Sequence, residues 1–153
     1  MTKKRIVSFR DQQKLVGEVC RQIATSGWRP DYVVGITRGG LQAAVMISHY
    51  FDIKMFALHV TSKPENNESN LWMSEDAYNG KNILVISDFD GPSFDWLIKD
   101  WKSTCCPNSD KWDLVWNHTT RFALLVDRGV SRCEVDYSAD CEYPAVNIQL
   151  DRK

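Results

Sequence analysis

Tyr32-Val33-Val34-Gly35-Ile36-Thr37-Arg38-Gly39-Gly40-Leu41 is the stretch on which the fold turns. Its first five residues are short, apolar and β-branched, the pattern of a strand buried on both faces of a parallel sheet. Thr37 to Gly40 make a tight turn, and 41–50 reads as a helix. The same order returns downstream: an apolar strand over 82–87, a polar turn over 88–93, a helix over 94–102. Outward from these two units lie a short strand over 5–9 and a helix over 11–26. That helix keeps Leu15, Val16, Val19, Cys20 and Ile23 on one face. Gly27 and Pro30 stop it. Further strands are expected at 54–60 and 121–126, with short extended pieces near 133–137 and 146–150. Repeated strand–turn–helix units give an α/β class with a mostly parallel, twisted sheet flanked by helices. Ligands of such sheets sit beyond the carboxyl ends of the strands, where both polar turns fall.

The chain has 153 residues, 43% of them hydrophobic, which is one domain's worth of length over 1–153. Its 19 basic and 20 acidic residues leave a net charge of -1. That balance excludes a generic polyanion binder, so nucleic acid is not an expected partner. No apolar run approaches the roughly 20 residues that span a bilayer, so no membrane is expected either. The basic start is followed by Asp11-Gln12-Gln13 rather than an apolar signal core, and a cytoplasmic protein is expected. The five cysteines, Cys20, Cys105, Cys106, Cys133 and Cys141, are irregularly spaced and read as reduced thiols. Cys105-Cys106 with His118 lacks the paired spacing of a zinc site.

Two segments interrupt the pattern. Residues 61–80 are polar and aperiodic and read as a long loop, a candidate lid. Residues 104–120 are irregular and Trp-rich. Trp72 in the first segment is read either as packing or as closing over a ligand. His49 and His59 are read as packed histidines, with a chemical role as the alternative.

The first turn pairs Gly39 with Gly40, which lets backbone approach a ligand closely. The helix after it favours an anion, and Arg38 adds a forked cation suited to phosphate oxygens. The plain alternative is a turn carrying an exposed arginine. The second turn, Ser87-Asp88-Phe89-Asp90-Gly91-Pro92-Ser93-Phe94, places two acids before a helix N-terminus. Such acids suit ribose hydroxyls or hydrated Mg²⁺, and Gly91 and Ser93 offer donors to a phosphate. Ordinary helix capping by Asp90 or Ser93 explains the same residues.

Together the two turns resemble those of the type I phosphoribosyltransferases, and the whole chain resembles the small xanthine-guanine branch in length and order. The resemblance implies that Thr37, Arg38 and Gly39 hold the diphosphate of phosphoribosyl pyrophosphate (PRPP). It implies Asp88 at the ribose hydroxyls and at Mg²⁺, and Asp90 at the reacting centre as the catalytic residue. Gly91 and Ser93 would take the 5′-phosphate, and Arg128 and Asn147 the base. It also implies a nucleobase as second substrate and a homo-oligomer of two or four chains. The second motif is degenerate. Ser87 stands where the family has its first acid, and Gly91-Pro92-Ser93-Phe94 replaces a Thr-Gly-x-Thr cradle. Pro92 has no N–H to give. Asn147 falls near a stacking Trp of the family. The implied activity is transfer of ribose 5-phosphate from PRPP to a purine-type base, releasing pyrophosphate. The alternative is a catalytically degenerate member that binds a nucleotide or PRPP and regulates a partner.

Overall fold

The aliphatic runs expected to be buried form the interior of a five-stranded sheet. The computed structural model describes residues 3–37, 39–61, 63, 65, 67, 69–105, 119–127, 135–141 and 146–150. In chain order these form β1 (Lys3–Val7), α1 (Phe9–Ser26), β2 (Tyr32–Thr37), α2 (Leu41–Phe51), β3 (Lys54–His59) and α3 (Leu71–Tyr78). There follow β4 (Ile83–Phe89), α4 (Pro92–Cys105), β5 (Thr120–Asp127), β6 (Tyr137–Cys141) and β7 (Val146–Leu150). The main sheet has the order β3-β2-β4-β5-β6, and every pairing in it is parallel. The three inner strands are thus the three with continuous apolar runs, as expected for strands covered on both faces. β1 and β7 pair in parallel as a separate two-stranded sheet.

Alternation along the inner strands divides the core into two layers. Val34, Ile36, Val85, Phe122 and Leu124 pack with Met73 and Ala77 of α3 and with Phe94, Leu97, Ile98 and Trp101 of α4. Val33, Leu84, Ile86, Ala123 and Leu125 pack with Val16, Val19, Cys20 and Ile23 of α1 and with Ala43, Ala44 and Ile47 of α2. The period of two in the strands and of three to four in the helices puts each apolar set against the other. Burial pushes the Cys20 thiol up to about 11, so this layer holds it as a neutral, small apolar group.

Several boundaries differ from expectation. The first strand ends at Val7, because Ser8 caps α1 by accepting a hydrogen bond from the Asp11 N–H at 3.1 Å. β4 runs on to Phe89, so Asp88 lies on the strand rather than in the turn after it. α4 begins at Pro92, which suits a first helical residue because its missing N–H would lack a helical partner there anyway. The extended piece expected near 133–137 is instead the strand Tyr137–Cys141. Of the Trp-rich segment, residues 106–118 lie outside the described residues.

The largest correction concerns 61–80. Its second half is α3, an eight-residue helix, not loop. Met73 and Ala77, four apart, are buried against the core, and the buried Asn70 side chain donates to Asp100 of α4 at 2.9 Å. Trp72 does not reach the carboxyl edge of the sheet. It stacks on Tyr32, the first residue of β2, with centroids 6.0 Å apart, and packs against Phe56 at 5.4 Å. It is therefore a packing residue at the amino edge. Tyr32 is buried there and donates its hydroxyl to Asp76 at 2.8 Å. Burial first, then that hydrogen bond, hold its phenol well above the usual tyrosine range. A raised pKa in the folded state means the stability it contributes is intact below about pH 10 and is lost as pH climbs beyond that. Tyr32→Phe is expected to cost about 1 kcal/mol at neutral pH and to flatten this alkaline loss. Urea midpoints at pH 7 and pH 10.5 check both parts.

Candidate functional site

Because all five strands of the main sheet run the same way, their carboxyl ends share one edge. The order of the sheet reverses between β2 and β4. From β2 the chain goes through α2 to β3 on one side, and from β4 through α4 to β5 on the other. Ligand crevices of doubly wound sheets open where neighbouring strands part in this way. The two turns singled out in the sequence are the ones that leave β2 and β4.

They touch. A Cβ built on Gly39 would coincide with the carboxylate of Asp88, so the first turn lies directly against the acid at the end of β4. One built on Gly40 would strike the carbonyl oxygen of Ile86, further down the same strand. Neither glycine has a positive φ. Their part is close approach, not an unusual backbone angle. The Gly40 N–H donates to the Ile36 carbonyl at 2.8 Å, and the Gly40 carbonyl takes the first bond of α2 from the Ala44 N–H at 2.9 Å. The turn is thereby fixed to both β2 and α2.

On the β4 side, Asp88 is half-buried. Its Oδ1 accepts from the Phe89 N–H at 2.9 Å and from the Ser87 hydroxyl at 3.3 Å. Ser87 is buried and helps hold Asp88 by donating to its Oδ1. Asp90 is fully buried, with 0% exposure. Gly91 accepts the Asp95 N–H at 3.0 Å as α4 begins, and Gly91 and Ser93 are both half-buried at that helix's N-terminus.

On the β3 side the structure adds a residue that the sequence reading left as packing. The Thr37 hydroxyl lies 2.8 Å from His59 Nδ1. Thr37 and His59 are the last residues of β2 and β3 and face each other in register. The sequence carried no signal for this pairing: it needs both strand ends, Thr37 and His59, and the register between them.

Thr37, Gly39, Asp88, Asp90, Gly91 and Ser93 therefore gather at the carboxyl ends of β2 and β4. Arg38 and Arg128 lie outside the described residues. Asn147 belongs to β7, opposite Lys4 of β1 in the two-stranded sheet, and not to the main sheet. Among the described residues no group of three or more His, Cys, Asp or Glu side chains is placed to hold a metal by itself.

No protein-family model and no curated protein sequence matches the chain. Solved structures do. A purine phosphoribosyltransferase from Pyrococcus horikoshii superposes with a TM-score of 0.67 at 15% identity, covering 98% of this chain and 94% of its own. The chain has the type I phosphoribosyltransferase fold. The xanthine-guanine-hypoxanthine phosphoribosyltransferase of Helicobacter pylori superposes with a TM-score of 0.67 at 13% identity, covering 98% and 92%. A hypothetical protein from Neisseria gonorrhoeae with bound ppGpp gives the same score at 16% identity, covering 98% and 89%. In this phosphoribosyltransferase fold the β2 and β4 turns meet at the switch point, and β1 and β7 form a second, two-stranded sheet. No helix among the described residues is long and apolar enough to cross a membrane.

Proposed function

We propose that the chain is a purine-type phosphoribosyltransferase, transferring ribose 5-phosphate from PRPP to a nucleobase nitrogen and releasing pyrophosphate. The observation that carries this reading is the contact of Gly39 with Asp88 at the switch point. A sugar diphosphate needs an anion grip and a hydroxyl grip a few ångströms apart, and these two turns supply that pair.

In the reaction, the bond from the ribose anomeric carbon to pyrophosphate breaks and a bond to the base nitrogen forms, through a state resembling an oxocarbenium ion, as in other glycosyl transfers. Little covalent work falls to the protein; positioning and charge stabilisation carry the rate. Arg38, the Gly39 backbone and Thr37 hold the leaving diphosphate. Asp88 takes the ribose hydroxyls. Gly91 and Ser93 receive the 5′-phosphate, and Arg128 and Asn147 the base. Asp90 is buried at the start of the turn into α4, and the resemblance places it beside the reacting centre.

The half-buried Asp88 carboxylate at the end of β4 suits a Mg²⁺ ion that arrives with its substrate. Such an ion keeps waters and phosphate oxygens as most of its ligands and needs one or two carboxylates from the protein. Asp88 would be that ligand. When bound, the ion would neutralise the charge of the departing diphosphate.

The test is pyrophosphate release from PRPP and Mg²⁺ with hypoxanthine, guanine or xanthine. Turnover with one of these bases is expected. Asp88→Asn and Asp90→Asn are each expected to reduce kcat/KM on the order of 100-fold or more. Melting curves of both variants separate loss of chemistry from loss of fold. No turnover, with thermal stabilisation by PRPP or a purine nucleotide, would overturn the enzyme reading in favour of a binding protein. Neither turnover nor stabilisation would defeat both.

A further inference from the structure

The turn that leaves β2 is gripped from both flanks. On the β4 side Gly39 rests against Asp88. On the β3 side Thr37, the residue just before Arg38, has its hydroxyl 2.8 Å from His59 Nδ1. β2 lies between β3 and β4, so these two contacts bracket the last residue of the strand and the turn that follows it. We propose that His59 is a positioning residue for the anion-binding turn. Through Nδ1 it fixes the Thr37 hydroxyl, and through Thr37 the end of β2 from which the backbone leads to Gly39. The inference rests on the reading of that turn as the diphosphate grip.

The chemistry of the pair suits a permanent clasp. A threonine hydroxyl both donates and accepts, so it can give its proton to a bare Nδ1 or receive one from a protonated Nδ1. The link survives either tautomer of the ring. Threonine is also stiff at χ1, so fixing its hydroxyl fixes its Cα–Cβ direction and narrows the backbone at the mouth of the turn. The ring in turn is carried by β3, whose register to β2 is set by six consecutive paired residues. Pre-ordering a loop in its bound form raises affinity by removing the cost of ordering it on binding.

The experiment is calorimetric binding of Mg²⁺–PRPP, and separately of inorganic diphosphate, to wild type, Thr37→Val, His59→Leu, the double variant, His59→Asn and His59→Gln. Asparagine keeps a polar atom near the place of Nδ1, while glutamine puts it near Nε2. Thr37→Val and His59→Leu are each expected to weaken both ligands about tenfold, the effect of one lost hydrogen bond. The double variant should be no weaker than either alone. His59→Asn should return to within about twofold of wild type, and His59→Gln should not. In turnover, the loss should appear in KM for PRPP and not in KM for the base. Wild-type affinity in His59→Leu, additive losses in the double variant, or equal behaviour of the Asn and Gln variants would overturn the assignment while leaving the enzyme reading intact. A wild type that binds neither PRPP nor diphosphate would overturn the diphosphate grip itself, and this inference with it.

Discussion

Gly39→Ala is expected to lower kcat/KM for PRPP about 100-fold while the chain still folds. The added methyl would occupy the space of the Asp88 carboxylate. Either the turn lifts away from β4 or Asp88 swings aside. Both responses change the separation between Gly39 and Asp88, the two points proposed to hold the diphosphate and the ribose. A displacement of about 1 Å at a positioning group is enough for a loss of that size. The same variant should bind inorganic diphosphate less weakly than it binds PRPP, because only PRPP must satisfy both grips together. Gly40→Ala makes the control. Its methyl would meet the backbone carbonyl of Ile86, which cannot rotate out of the way as a side chain can. That variant should lose stability as well as activity. A Gly39→Ala protein with wild-type kinetics would show that the contact at the switch point has nothing to do with substrate.

Trp101→Ala is expected to destabilise the chain by about 3–5 kcal/mol, the range for emptying a large aromatic from a core. Trp101 has no exposed surface, and it belongs to the layer that α3 and α4 make with the sheet. Its Nε1 has no hydrogen-bond partner among the described residues. Trp101→Phe keeps an aromatic ring in the same layer and removes less volume, so it should cost much less, about 1 kcal/mol. Urea or thermal unfolding of the two variants gives the comparison. Similar losses in both would mean that the indole N–H matters after all.

Most of the sheet could be read directly from the chain because its inner strands are buried on both faces. Val33-Val34, Ile83-Leu84-Val85-Ile86 and Phe122-Ala123-Leu124-Leu125 admit no polar alternation, and hydrophobic periodicity is the strongest local signal a sequence carries. α3 escaped because two helical turns are shorter than the window in which a period shows. Met73 and Ala77 are buried on its inner face, and polar Ser74, Glu75 and Asp76 lie between them. The pairing of β1 with β7 joins Lys3 to Val146 across nearly the whole chain, and no local pattern reports a contact of that separation.

The site divides along the same line. Gly39-Gly40 signalled that something approaches the backbone closely, but not that the neighbour is Asp88. That required the order of the strands. Asp88 itself was expected just past the strand and lies on it, because Ser87 and Asp88 continue the ladder to β5 through Phe89. The Thr37–His59 clasp depends on the register of β2 against β3, a quantity that neither strand encodes alone.

The opposite departures of β2 and β4 have a practical consequence. The helix after the first turn packs on one face of the sheet and the helix after the second on the other, so the two turns share no helix–helix packing. Phe89 packs against the α1–α2 layer and Phe94 belongs to the α3–α4 layer, while residues 90–93 between them belong to neither apolar cluster. That short turn is the place where this scaffold admits exchange of one loop while the layers on both faces of the sheet keep their packing.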